Sequence, residues 1–209
     1  MSAFLGPIHT WLYNKIKFQD AMADAVLDLS GEKEYIRDLR EKTAGRYGEL
    51  GKGQLEDLIE TDNIHGWLQE KVSLVENRLA YAVTALVSRD PESLSSVKEA
   101  IFQLGKKNSM DQDVTAGKAY EHLENTLLNG MPCDRVNEVV RETEDGLVWQ
   151  QTQDIHAASW ALVQGDPKHY YALREALIKG MLDDTGIEFI QTGDQVFELR
   201  RRSCTESIS

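Results

Sequence analysis

The sequence predicts an α+β fold, predominantly α. An N-terminal bundle of two tandem helical hairpins precedes a β-β-α-α-β-β part with a small antiparallel sheet. Three observations carry this prediction. The pattern Ile-His-x-Trp-Leu-x-x-Lys occurs in residues 8–15 and again in residues 64–71. Behind each copy, apolar residues recur at three- and four-residue steps, the period of one helix face. After Pro132 the pattern changes to runs rich in Val, Thr and aromatic residues, broken by Asp145-Gly146 and by Thr192-Gly193-Asp194, which are turn sequences between strands.

The first helix is expected over residues 4–29. Pro7 suits a first turn, where a missing N–H has no helical partner. His9, Leu12, Ile16, Gln19, Ala23 and Val26 form its inward stripe, and Ser30-Gly31 ends it. A returning helix covers residues 32–47, with Tyr35, Ile36, Leu39, Thr43 and Tyr47 inward. Three glycines in "GELGKGQ" make a loop. A third helix over residues 62–88 carries the stripe His65, Leu68, Val72, Val75, Leu79, Ala82 and Leu86, with Asp62 available as its N-cap. Asp90-Pro91 opens a fourth helix in the arrangement that favours a helix start. Val97, Ala100, Ile101 and Leu104 point inward there, and Gly105 closes it.

Residues 1–107 thus read as a bundle with an internal αα repeat, and residues 108–132 as a connecting helix with Ala119, Leu123 and Leu127 inward and His122 beside them. Residues 133–202 form the ββααββ region, with helices over 154–163 and 167–182, and residues 203–209 form a tail. A lone hairpin is marginal in water, so the two hairpins are expected to pair, within the chain or across a homodimer. The first and third helices, each followed by a returning helix, should run parallel, which brings His9 and His65 to the same end of the bundle.

Composition excludes several function classes. A formal net charge of −12 over 209 residues argues against broad nucleic-acid binding, whose footprint is a basic face, and against docking on anionic membranes. The basic run Arg200-Arg201-Arg202 reads as a solvated end. Two cysteines, Cys133 and Cys204, fit a reducing compartment rather than a disulfide framework. No stretch approaches the roughly 18 apolar residues of a membrane span, and the N-terminus lacks the layout of a signal peptide. The expected location is the cytoplasm.

The histidines are the candidate functional residues. Bundle interiors are where helical proteins build metal sites, and neutral imidazole is the commonest ligand. His9, His65 and His122, with a carboxylate such as Glu121, Glu124 or Asp62, are the candidate ligands for Fe, Mn or Zn. No His-x-x-x-His, His-Glu-x-x-His or Glu-x-x-His pair supports them, although Asp62 and His65 have the i,i+3 spacing that puts two ligands on one helix face. The competing reading is structural: histidines near helix starts, hydrogen-bonded and held neutral by the helix dipole. Trp11 and Trp67 are expected to anchor hairpin packing against the returning helices or a partner subunit, with Lys15 and Lys71 solvated.

No phosphate loop and no Gly-x-Ser-x-Gly occurs, so no motif fixes a reaction. The sequence favours a protein that binds a metal ion or small molecule at the histidine end of a bundle. The alternative is a homodimeric scaffold or sensor whose repeated histidines are structural. A third reading, an interaction module, draws on the acidic surface and the basic end.

Overall fold

The computed structural model describes residues 4–31 and 38–202. Tyr35, Ile36 and Cys204 lie outside them. Among the described residues the chain forms eight α-helices and four strands, with helix predominant as expected. The helices are α1 (Pro7–Gly31), α2 (Leu39–Tyr47), α3 (Leu55–Leu58), α4 (Ile64–Arg89), α5 (Ser93–Lys106), α6 (Ala116–Thr126), α7 (Ala157–Leu162) and α8 (Lys168–Met181). The strands are β1 (Asn137–Glu142), β2 (Gly146–Gln151), β3 (Ile187–Gly193) and β4 (Val196–Arg201). No described helix is long and apolar enough to cross a membrane.

α1 and α4 run parallel, side by side. Their contacts advance together along both chains: His9 with His65, Gln19 with Glu76, and Asp20 with Arg78. The expected stripes are buried on both helices, from Leu12 to Val26 and from Leu68 to Leu86. His65 is the correction, because it is exposed. The N-cap of α4 is also one residue later than expected. Asn63, not Asp62, accepts the Gly66 N–H through its side chain. α4 therefore begins one residue closer to its histidine than α1 does.

α5 does not end at Gly105. It runs to Lys106, and Gly105 is a point of close approach to α8. A Cβ at Gly105 would collide with the Leu177 carbonyl oxygen, and one at Gly180 with that of Phe102. Backbone thus packs on backbone where the two helices cross.

The two hairpins join within one chain into a four-stranded antiparallel sheet, ordered β1-β2-β4-β3. Leu147 pairs with Leu199, Trp149 with Phe197, and Phe189 with Leu199. These residues fill the covered face, against α6 and α8. The other face carries the ion pairs Arg141–Glu198 and Arg200–Glu188. The second turn is Asp194-Gln195 rather than the expected Thr192-Gly193-Asp194, because Gly193 still pairs with Val196. Gln195 takes the left-handed conformation there, at φ 54°.

Two core clusters result. The smaller one lies at the histidine end and includes Leu12, Tyr13, Ile16, Trp67 and Leu68. The larger one runs without a break from Met22 in α1 to Leu199 in β4, so the helical part and the sheet share one interior.

Candidate functional site

His9 and His65 meet as their positions in the repeat imply. Their Nε2 atoms are 3.3 Å apart and their ring centres 5.4 Å apart. Gly6 is the residue before the first helical turn, and its N–H donates to His9 Nδ1 at 2.9 Å. His9 is the third residue of α1, so it fills the role that Glu or Gln plays in a capping box. That bond sets the tautomer. With Nδ1 accepting, the proton of neutral His9 sits on Nε2 and points at His65 Nε2, which accepts it.

His122 does not complete a site with this pair. It is half-buried on α6, its Nε2 lacks a protein partner, and burial lowers its pKa. Among the described residues no three His, Cys, Asp or Glu side chains form a group that could hold a metal ion. Glu121 is exposed and paired with Lys118, Asp62 is exposed, and Glu124 accepts from Asn129 and Asn137. Cys133 is exposed and unpaired by disulfide.

The tryptophans and Lys15 find partners within the chain. Trp11 donates to Asn125 on α6 at 2.8 Å, and Trp67 packs on Tyr13 of α1. Lys15 is not solvated. It is 3% exposed, with Nζ 4.1 Å from the centre of the Trp11 ring. Burial pulls its pKa down to about 8, against the opposing pull of Glu124.

A second polar centre is wholly internal. His156 Nδ1 lies 3.0 Å from both oxygens of Glu76. Gln19 donates to Glu76 from α1, and the His156 ring stacks on Tyr170 with centres 3.6 Å apart. His156 is 0% and Tyr170 1% exposed. Burial raises the Tyr170 hydroxyl well above the ordinary range. This cluster ties α1, α4, α7 and α8 together around the fully buried His156.

The third centre does reach solvent. A cleft of about 470 Å³ lies between α8 and the β3–β4 hairpin. Arg174 lines it and is itself only 3% exposed. One guanidinium nitrogen donates to Gln151 Oε1 at 2.7 Å, and the group lies 4.8 Å from the centre of the Phe197 ring. Its Nε has no protein acceptor, and among the described residues no carboxylate forms an ion pair with it. Tyr171, on the same wall, is bonded by Gln151. Burial and the nearby Asp154 raise its pKa to about 12, so it is a neutral hydroxyl. Asp154 itself caps α7 through the N–H groups of His156 and Ala157.

Sequence reasoning missed Arg174 and Glu76, although each left a signal. Tyr170, Arg174 and Ile178 are spaced four apart on one buried stripe, as are Leu68, Val72 and Glu76. A charge inside such a stripe points to a buried polar centre. No protein-family model, curated protein or solved structure matches this chain.

Proposed function

We propose that the protein binds a small organic anion, with Arg174 as the anchor at the floor of the cleft. One observation carries this reading: a guanidinium 3% exposed whose partners are a neutral amide oxygen and a ring face. A buried charge without a counter-charge costs several kcal/mol, and a planar fork of donors matches a carboxylate. A carboxylate entering the cleft would supply the missing charge and accept from Nε. Phe189 and Phe197 offer an apolar wall for the rest of such a molecule, the usual make-up of a ligand site.

A metal ion at the histidine end is the competing reading. The 3.3 Å between the Nε2 atoms is close to the separation of two nitrogens on one tetrahedral ion with bonds of about 2.0–2.1 Å. Against it, the Gly6 N–H leaves the His9 proton on the nitrogen a metal would need, and no third ligand joins the pair among the described residues.

The test is thermal unfolding with 3-phenylpropanoate at millimolar concentration, on the natural chain and on Arg174→Met. A ligand bound only to the native state raises its stability. The melting temperature should rise in the natural chain and stay unchanged in the variant. Without ligand, Arg174→Met removes a buried charge that has no counter-charge but leaves Gln151 Oε1 without its donor, so the two effects oppose each other. An equal response in both chains, or none in either, overturns the reading.

A further inference from the structure

We infer that the ligand is zwitterionic, of the amino-acid type, with its carboxylate at Arg174 and its ammonium at the mouth of the cleft, beside Asp194 and Asp154. This rests on the anion reading above and adds the chemistry of the ligand's second end.

The cleft is graded in charge with depth. Its one buried charge is the Arg174 cation. Its outer lining carries Asp154, Asp194, Glu175 and Lys168, all exposed. Glu175 is already paired with Lys179 one turn along α8. Asp154 spends one oxygen capping α7, and no ion pair among the described residues engages Asp154 or Asp194. Lys168 at the mouth offsets one of these two carboxylates, so the mouth keeps a net negative charge. A dianion would meet repulsion there, and a simple amine would meet Arg174 at the floor. A molecule with a carboxylate at one end and an ammonium near it matches both charges.

The long-range field agrees. With a net charge of −12 the protein repels free anions from its surroundings, whereas a zwitterion approaches without that penalty. The rings of Phe189 and Phe197 are nearly parallel, 5.7 Å apart at their centres, and both line the cleft. They favour a flat apolar side group on the ligand.

Three matched probes test the inference by calorimetric titration: L-phenylalanine, 3-phenylpropanoate, which lacks the ammonium, and 2-phenylethylamine, which lacks the carboxylate. L-Phenylalanine should bind at least about tenfold more tightly than either, the effect of one charge-assisted hydrogen bond. In Asp194→Asn, an exposed turn position, the gap to 3-phenylpropanoate should shrink severalfold while binding of 3-phenylpropanoate itself holds or improves. Equal binding of L-phenylalanine and 3-phenylpropanoate, both lost in Arg174→Met, overturns the zwitterion and leaves the anion reading standing. Absence of binding by all three, or binding that Arg174→Met does not weaken, overturns both.

Discussion

His156 reaches both carboxylate oxygens of Glu76, eighty residues earlier in the chain, at 3.0 Å each. Both side chains are buried, so each is the other's substitute for water. Removing one partner of a buried pair leaves the other uncompensated, at a cost of about 3–5 kcal/mol. Glu76→Leu should lose that much in urea denaturation. Glu76→Gln, which keeps an acceptor for Nδ1, should lose less. Equal losses in the two variants would mean that the hydrogen bond contributes nothing beyond packing.

The α5–α8 crossing makes a steric prediction. Gly105→Ala and Gly180→Ala each place a methyl group against a carbonyl of the other helix. Overpacking of this kind costs about 1–3 kcal/mol. Once one substitution has spread the helices, the second meets less resistance, so the double variant should lose clearly less than the sum. Chemical denaturation of the three variants checks this, and full additivity would contradict the shared contact.

Lys15 gives a pH dependence with a definite sign. Its pKa is about 8 in the folded chain and about 10.4 in an unfolded one. Between these values the unfolded state binds more protons, so stability rises with pH. Below pH 8 the burial penalty is felt in full. Lys15→Met should therefore stabilise the protein at pH 7 by up to about 3 kcal/mol, at about 1.4 kcal/mol per pKa unit. The gain should fade as pH rises from 8 to 10. Unfolding curves across that range measure it, and a gain independent of pH would assign the effect to packing alone.

The repeated histidines carry a prediction about proton position. Gly6 N–H on His9 Nδ1 requires the Nε2–H tautomer for His9, and its donation to His65 Nε2 requires the Nδ1–H tautomer for His65. Nitrogen NMR of the neutral rings distinguishes the two forms. Both rings in one tautomer, or loss of either signal when trace metal is removed, would contradict a simple hydrogen-bonded pair. His65→Ala should cost only about 1 kcal/mol, the net contribution of one partly exposed hydrogen bond.

Periodicity in the sequence made the scaffold legible. The stripes from Leu12 to Val26 and from Leu68 to Leu86, the parallel first and third helices, and both hairpins are present as expected. The pairing of His9 with His65 followed from the same reasoning. The other polar centres did not, because a period states which face is inward and not which polar residue on that face finds a partner. Glu76 and His156 are joined only by tertiary folding. Arg174 gained its meaning from Gln151 on β2 and Phe197 on β4, both on strands that the sequence left unpaired with α8. The exposure of His65 was not legible either, because His65 holds the same place in its stripe as the buried His9. Helix ends depend on a single side-chain cap, here Asn63 in place of Asp62, and patterns resolve them poorly.

The larger core cluster joins Met22 to Leu199, and this sets the order in which its parts can close as the chain emerges. A nascent chain folds as its segments emerge, yet here the wall that covers Trp149 and Phe189 includes Phe197 and Leu199. The α1–α4 pair is covered by α2, α5 and α7, whereas the sheet side of the core, Trp149 and Phe189, closes only when β4 has emerged. The helical layers can therefore close in chain order, and β4 is the closing piece of the sheet side alone.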